Sequence, residues 1–387
     1  MSTNFQFDLV TETPALKELR AEVRGFLMDE IKAGTFSPSG GEKRGFNKEF
    51  SRRVGKRGWI GMAWPKQYGG GERSHMERYV VTEEMRAYGA PTRGHFTADR
   101  QSGPVLIRFA QEHIKQQILP GIISGDLTFC IGLSEPNSGS DVFAASTRAT
   151  KVDGGWHING TKIWTSNAHE SDYCIALIRT SPATPENRRH GLSQFLVPLK
   201  TTKGIDIRPI INLTGNHEFN EVVYDNAFLP DDHLIGEKDM AWRQATAELA
   251  FERSGPERWL ETFSVLNAFV RVAGKNPDDR VAEGLGREIA HMATLRRMSL
   301  SVAGMLEAGK LPNDESAIVK DVGTNYEQAL PNRVRLLAPS IASPERANDV
   351  DFEEVLKFNT LIAPKLTIQG GTREILRGII ARGLGLR

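Results

Sequence analysis

Gly132-Leu133-Ser134-Glu135-Pro136-Asn137-Ser138-Gly139-Ser140-Asp141 is followed, further along the chain, by Asn159-Gly160-Thr161-Lys162-Ile163-Trp164-Thr165-Ser166-Asn167. The first stretch is built of residues that favour turns: Gly, Pro, Asn, Asp and Ser. The second closes a run rich in β-branched and aromatic residues. Around them lie similar short runs: Trp156-His157-Ile158-Asn159-Gly160, Tyr173-Cys174-Ile175-Ala176-Leu177-Ile178, Gln194-Phe195-Leu196-Val197-Pro198 and Glu221-Val222-Val223-Tyr224. Breakers separate them, and this spacing predicts an antiparallel sandwich or barrel from Phe129 to about Leu234.

Outward from this region the period changes. Leu16, Leu19, Val23, Phe26 and Leu27 recur at helical spacing. The pattern returns over Phe50 to Ile60, Met76 to Tyr88 and Val105 to Ile123, interrupted by the loop Ala63-Trp64-Pro65-Lys66-Gln67-Tyr68-Gly69-Gly70-Gly71. From Trp242 the helical period resumes and runs to the end. The predicted fold is α+β and multidomain: an N-terminal helical domain over 1–128, a central antiparallel β domain over 129–238 and a C-terminal helical bundle over 239–387. Ser181 to Arg189 reads as a surface loop, and no internal repeat is present.

Composition narrows the class of function. Lys and Arg number 49 against 48 Asp and Glu, a balance that argues against nucleic-acid binding. No apolar run reaches the roughly 18 residues of a membrane helix. The N-terminus lacks the basic and apolar regions of a signal peptide. Two cysteines, Cys130 and Cys174, fit a reducing, cytoplasmic setting, and no Cys/His cluster has metal-ligand spacing.

The two opening stretches together resemble the flavin-binding signature of the acyl-CoA dehydrogenase family. Further motifs follow that family in order: Trp64-Pro65 with Gly69-Gly70, then Gly191-Leu192-Ser193-Gln194-Phe195-Leu196-Val197, Phe219-Asn220-Glu221-Val222, Leu229-Pro230 and Gly236-Glu237. Gly370-Gly371-Thr372-Arg373-Glu374-Ile375 resembles its closing loop and last helix. The resemblance implies a soluble enzyme that uses FAD to oxidise an acyl-CoA to the trans-2-enoyl-CoA. It also implies an electron-transfer flavoprotein as acceptor and a tetrameric or hetero-oligomeric assembly with no metal.

The residues suit that cofactor. A flavin ring has apolar faces and a polar edge, so it needs a surface to stack on and hydrogen-bonding groups at the edge. Leu133 and Ser134 can meet the edge, Trp164 offers an aromatic face, and Ser166 stands where the family places a hydroxyl near flavin N5. Ser140, in a glycine-containing turn, suits a phosphate oxygen of cofactor or substrate. The resemblance adds Thr372 and Glu374 to the cofactor contacts and Arg253 to the substrate contacts.

α,β-Dehydrogenation of a thioester needs a carboxylate to take the α-proton on the face opposite the flavin. Many family members carry this Glu in the C-terminal loop, directly before a Gly-Thr pair; here Gly370 stands there. Other members place it on a helix before an Arg, which matches Glu252-Arg253. Trp242, Ala245, Leu249, Glu252, Pro256, Trp259, Phe263, Leu266 and Val270 form one helical stripe on which Glu252 is the only charge. Pro256 cannot donate to the carbonyl of Glu252, so a kink is expected there. Glu252 is therefore the candidate base, Glu248 the runner-up, and pairing with Arg253 or Arg258 the structural alternative for Glu252. Gly370 keeps its N–H as a candidate donor to the thioester oxygen, and its missing side chain is expected to leave room.

Two family motifs that reach a neighbouring subunit's FAD, Arg-x-x-Phe-Gly and Gln-x-x-Gly-Gly, are absent. The corresponding regions read Val270-Arg271-Val272-Ala273-Gly274-Lys275-Asn276-Pro277 and Asn332-Arg333-Val334-Arg335-Leu336-Leu337-Ala338-Pro339. Either a divergent homo-oligomer compensates, or a different chain supplies the contacts. This leaves a scaffold subunit of a hetero-oligomer as one alternative function, and a flavin oxidase or monooxygenase as another. His157 is expected to be exposed or structural, Arg296-Arg297 a solvated helix face, and Asp99-Arg100 lies at a helix start.

Overall fold

The computed structural model describes residues 5–38, 45–184, 187, 190–241, 244, 253–340 and 351–386. In chain order its α-helices are α1 (Pro14–Lys32), α2 (Lys48–Lys56), α3 (His75–Ala87), α4 (Arg93–Thr97), α5 (Gly103–Phe109), α6 (Glu112–Ile123), α7 (Phe263–Ala273), α8 (Asp279–Glu307), α9 (Asn313–Leu337), α10 (Phe352–Ile362) and α11 (Arg373–Gly383). The strands are β1 (Phe129–Gly132), β2 (Arg148–Val152), β3 (Gly155–Lys162), β4 (Tyr173–Arg179), β5 (Leu192–Pro198), β6 (Ile205–Ile211), β7 (His217–Pro230) and β8 (Leu234–Ile235). Helices, then strands, then helices is the order expected from the sequence. By packing, the chain forms two compact units: Met1–Arg44 with Arg73–Ala90 and Leu249–Arg387, and Gly45–Glu72 with Pro91–Glu248.

The second unit holds an eight-stranded sheet in the order β6-β7-β3-β2-β4-β5-β8, with β1 also paired to β4. Most pairs are antiparallel. The β1–β4 pair is parallel, Phe129 opposite Tyr173 and Gly132 opposite Ala176. A parallel pair requires a crossover, and the chain between β1 and β4 supplies it through the turn at 133–147 and the hairpin β2–β3. The sheet buries Trp156, Ile158, Cys174, Phe195, Val197, Tyr224 and Leu229. The β3–β7 register slips between Ile158 and Gly160. Gly160 there has φ +142°, and a Cβ would stand 2.6 Å from Thr147 Cα, so the bulge requires glycine.

The first unit is helical. Thr13 caps α1, Ser74 and Glu77 form a capping box on α3, and Asp278 caps α8. Its core gathers Trp259, Leu266, Phe269, Val272, Leu295, Tyr326, Leu330, Val334, Phe352 and Val355. A charged seam crosses it. Glu83 and Glu84 of α3 are buried and therefore need cationic partners. Arg20 of α1 meets both glutamates and Glu12, and Arg296 of α8 meets Glu83 and Glu12 at 2.7 Å each. Arg296 thus belongs to an interior network, not to the solvated face the sequence suggested; Arg297 is exposed.

The stripe from Trp242 to Val270 is not one kinked helix. Pro256–Arg258 form a single 3₁₀ turn, and α7 begins only at Phe263. Pro256 has no N–H, Gly255 is extended at φ −71°, ψ 169°, and Arg258 N–H donates to the Gly255 carbonyl at 3.0 Å. The break rotates the register: Glu257 and Arg258, off the predicted stripe, are buried, while Val270 is exposed. Trp242, Ala245, Glu248, Leu249 and Glu252 lie outside the described residues.

Helix α9 crosses this turn at Gly323, where a Cβ would lie 2.3 Å from the Arg258 carbonyl oxygen. Gly286 on α8 has no neighbour within 4 Å of such an atom. Gly323→Ala should therefore cost about 1–3 kcal/mol, while Gly286→Ala should stabilise by about 0.5–1 kcal/mol. Urea melts of the two variants check this, and equal midpoints would show that the α9 crossing is not close-packed.

Candidate active site

In the sheet unit, two loops meet at the ends of β1 and β3. The Ile163 N–H donates to the Ser134 carbonyl at 2.9 Å. Beneath them Lys162 Nζ donates to Glu135 Oε1 at 2.7 Å and to the Leu133 carbonyl at 3.3 Å. Lys162 is wholly buried. Glu135 also accepts from the Ser146 N–H and hydroxyl, at 2.6 and 2.8 Å, and from the Thr147 N–H at 3.0 Å. Burial would raise the Glu135 carboxyl, but the Lys162 charge and these hydrogen bonds outweigh it and hold it down to about 2. Burial lowers Lys162 as well, against the pull of the Glu135 carboxylate, and the pair fixes the two motif loops to each other.

Leu133, Ser140, Trp164 and Ser166 are exposed and Ser134 is half-buried. Trp164 stands 56% open to solvent with a left-handed φ of 58°, and its ring meets Phe219 edge-on at 5.9 Å. A large aromatic held open in a strained backbone is costly unless something covers it. The loop continues through Thr165, whose N–H donates to the Asn220 carbonyl at 3.0 Å, and Asn167, whose N–H donates to the Glu218 carbonyl at 2.8 Å. Asn220 is buried and returns a bond from Nδ2 to the Thr165 carbonyl at 2.9 Å. Phe219-Asn220-Glu221-Val222 was legible as a motif, but the clamp that Asn220 makes was not, because it depends on pairing across the loop.

Asp99 accepts from the Gly61 N–H at 2.7 Å and Arg100 is buried, which is a structural setting. His157 reaches the Asn226 carbonyl with Nδ1 at 3.2 Å, again structural.

In the helical unit, Gly370 has φ +67°. The space beside it is not empty: a Cβ there would lie 3.0 Å from Arg258 Nη2 and 3.1 Å from Lys320 Cε. The room expected from its missing side chain is filled by two cationic side chains. A Cβ on Gly371 would lie 3.8 Å from Arg253 Nη2, so Arg253 also comes to this loop. Thr372 occupies the cap position of α11, and Glu374, in its first turn, has its carboxyl lowered by its own backbone N–H and by Thr372. Arg373 pairs with Asp321 of α9 at 3.1 Å.

Below the loop lies a carboxyl that the sequence reading missed. Glu327 of α9 is buried and accepts from the Glu261 N–H at 2.7 Å. Burial pushes it up to about 8, against the lowering effect of Arg258 and Lys320. Glu257, also missed, had a signal in the sequence: Glu257-Arg258 repeats the Glu-before-Arg pattern of Glu252-Arg253. Among the described residues no cluster of His, Cys, Asp and Glu could hold a metal ion, and no helix is long and apolar enough to cross a membrane.

With the fold and this geometry in hand, comparison with known proteins gives the class. Residues 13–126 match the acyl-CoA dehydrogenase N-terminal domain and 130–227 the middle domain. The chain is 33% identical over 386 residues to the acyl-CoA dehydrogenase IpdE1 of Mycobacterium tuberculosis, spanning 96% of this chain and 98% of that one. A solved Tcur3481-Tcur3483 steroid ACAD superposes with a TM-score of 0.82 at 28% identity, covering 97% of this chain and 98% of that one. The ChsE4-ChsE5 complex from Mycobacterium tuberculosis does so with 0.81 at 25%, covering 98% and 99%. The chain belongs to the acyl-CoA dehydrogenase family and is an oxidoreductase of that class.

The two perturbed carboxyls predict opposite pH slopes. Glu135, lowered from 4.5 to about 2, contributes stability that is present above pH 4.5 and lost as pH falls towards 2. Lys162→Met should cost about 3–5 kcal/mol at neutral pH by stranding that carboxylate. Glu327, raised from 4.5 to about 8, binds its proton more tightly folded than unfolded, so stability declines as pH rises from 4.5 through 8. Glu327→Gln should flatten that decline. Denaturation midpoints across pH would contradict this account if the variant kept the wild-type slope.

Proposed function

We propose that this chain catalyses FAD-dependent α,β-dehydrogenation of an acyl-CoA thioester to the trans-2-enoyl-CoA. The observation that carries the cofactor assignment is Trp164: an aromatic face held open at left-handed φ beside Leu133, Ser134 and Ser166, on a loop clamped from below. These residues fit a flavin, with Trp164 for stacking and Leu133, Ser134 and Ser166 for the edge. Ser140 would hold a phosphate oxygen, and Thr372 and Glu374 would add contacts from the closing loop. FAD, when bound, supplies the hydride-accepting N5.

Glu252 is the proposed base, with Arg253 beside it in sequence. The loop position carries no carboxylate: glycine stands there at φ +67°, which disfavours other residues, and a Cβ would press on the ends of the Arg258 and Lys320 side chains. The base must then come from elsewhere, and Glu252 is the carboxylate at the family's other position. Gly370 keeps a backbone N–H, and we assign it to the thioester oxygen, where charge develops as the α-proton leaves. A carboxylate at this helix position favours dehydrogenation over the oxidase chemistry that also occurs on the fold.

The missing neighbour motifs favour an oligomer with a related but different subunit. The two solved structures named above each carry the names of two chains, Tcur3481-Tcur3483 and ChsE4-ChsE5. That subunit would supply contacts to FAD that this chain lacks, and an electron-transfer flavoprotein would accept the electrons.

Anaerobic titration of the purified protein with a panel of acyl-CoA esters tests the reading, with flavin absorbance as the signal. Wild type should bleach, and Glu252→Gln should bind the ester yet lose about 10²–10⁴-fold in rate. A colourless protein that no ester alters even with added FAD would point to the scaffold subunit. Rapid reoxidation of the reduced flavin by air would point to an oxidase.

A further inference from the structure

Two imidazoles lie face to face beside the Trp164 loop. His169 and His217 stack with ring centroids 3.6 Å apart and planes 16° from parallel. Both reach one oxygen: His169 Nδ1 is 3.2 Å and His217 Nε2 2.7 Å from Asn220 Oδ1. The amide of Asn220 is oriented by its other end, because Nδ2 faces the Thr165 carbonyl and a carbonyl can only accept. Oδ1 therefore faces the rings as an acceptor, and each ring must present an N–H to it. This assigns the proton to Nδ1 of His169 and to Nε2 of His217.

The arrangement ties the protonation of the stack to the loop. Trp164 and Asn167 both hold left-handed φ, 58° and 55°, which non-glycine residues adopt only when their surroundings impose it. Three hydrogen bonds between the loop and the 218–220 segment impose it here, and the Asn220 amide that donates one of them is met at its other end, Oδ1, by both histidines. The charges around the stack are Glu170, next to His169, and Glu218, next to His217 in the chain. Arg93 holds Glu218 at 3.1 Å, and Asn212 donates to it at 3.0 Å. Burial, and then His217, hold His169 below the usual histidine range, while Glu170 and Asn220 pull the other way. One proton more is compatible with the geometry, since an imidazolium still donates to Asn220. A second places two like charges face to face, which drives the rings apart and withdraws a donor from Asn220.

We propose that the His169–His217 stack, acting through Asn220, positions the flavin-edge loop, and that FAD binding weakens when both rings become charged. The proposal rests on the flavin reading of the loop. Both histidines are positioning residues, since they act on the loop through Asn220. The sign follows from the stack: with at most one ring charged both rings still donate to Asn220 and the clamp is complete, and it is lost as pH falls and the second ring takes its proton.

The test is the dissociation constant of FAD from the deflavo-protein, by flavin fluorescence, from about pH 8 to about pH 5. Wild type should weaken roughly tenfold over the acid half of that range. His169→Phe and His217→Phe each keep a flat ring in the stack but remove one donor to Asn220 and one titrating ring, so each should bind FAD more weakly than wild type at pH 8 and show no further acid-dependent loss. Imidazole proton NMR of wild type provides a readout that needs no variant: the two rings should titrate as a linked pair, the second proton entering well below the first. Binding that weakens equally in wild type and both variants would overturn the proposal, as would a wild-type profile that stays flat or two rings that titrate independently. Wild type that binds no FAD at any pH would overturn the flavin reading itself, a different result from binding that ignores the histidines.

Discussion

The buried Lys162–Glu135 ion pair is the constraint on which the candidate cofactor surface depends. Lys162 closes β3 and Glu135 opens the turn after β1, so one interaction joins the two motifs. A buried pair of this kind adds little net stability by itself, because both ions lose their hydration. Its hydrogen bonds from Ser146, Thr147 and to the Leu133 carbonyl satisfy the remaining valences and make it a register device: neither loop can shift without stranding a charge. The candidate cofactor residues on the two loops, half-buried Ser134 and exposed Trp164 and Ser166, inherit their positions from this lock.

A second lock works on the same loop from the other side. Asn220 bonds Thr165 through both backbone and side chain, so the four residues from Trp164 to Asn167 are held between an ion pair and an amide clamp. Such over-determination is what allows two left-handed, non-glycine residues to persist. It also explains why Trp164 stays open when collapse onto the sheet would bury its ring. The strain lies at the surface where a ligand would recover it.

The order of elements and the two motif loops were legible in the sequence because they are local: turn residues, β-branched runs and helical period each act over a few positions. The helix break after Ser254 was harder to place. Pro256 and Gly255 announced a disturbance, but a kink and a full break differ only in which backbone groups find partners, and here Arg258 N–H turns back to Gly255. The rotation that buried Glu257 and Arg258 followed from that choice. Arg296 was misjudged for a related reason: its helix face looks solvated in sequence, and only the packing of α3 reveals two buried glutamates that need a cation. Glu327, His169 and His217 carried no sequence signal, since their character arises from neighbours distant in the chain.

The Gly370 loop brings the argument to the chemistry. In a family whose base often sits in that loop, a glycine could mean either that the side chain was lost and nothing replaced it, or that the locus was given to something else. Arg258 and Lys320 stand against this position, which accords with the second. Two cationic groups pressed against the loop, with Arg253 close by, make this end of the helical unit rich in positive charge. Glu327 contributes little compensation at neutral pH, because burial keeps it protonated. A cationic setting lowers the pKa of a carboxylate brought near it and stabilises a thioester oxygen as it gains charge. Under the proposed mechanism this loop, with no carboxylate at 370, would serve the other half of the reaction, the accumulation of negative charge as the α-proton leaves.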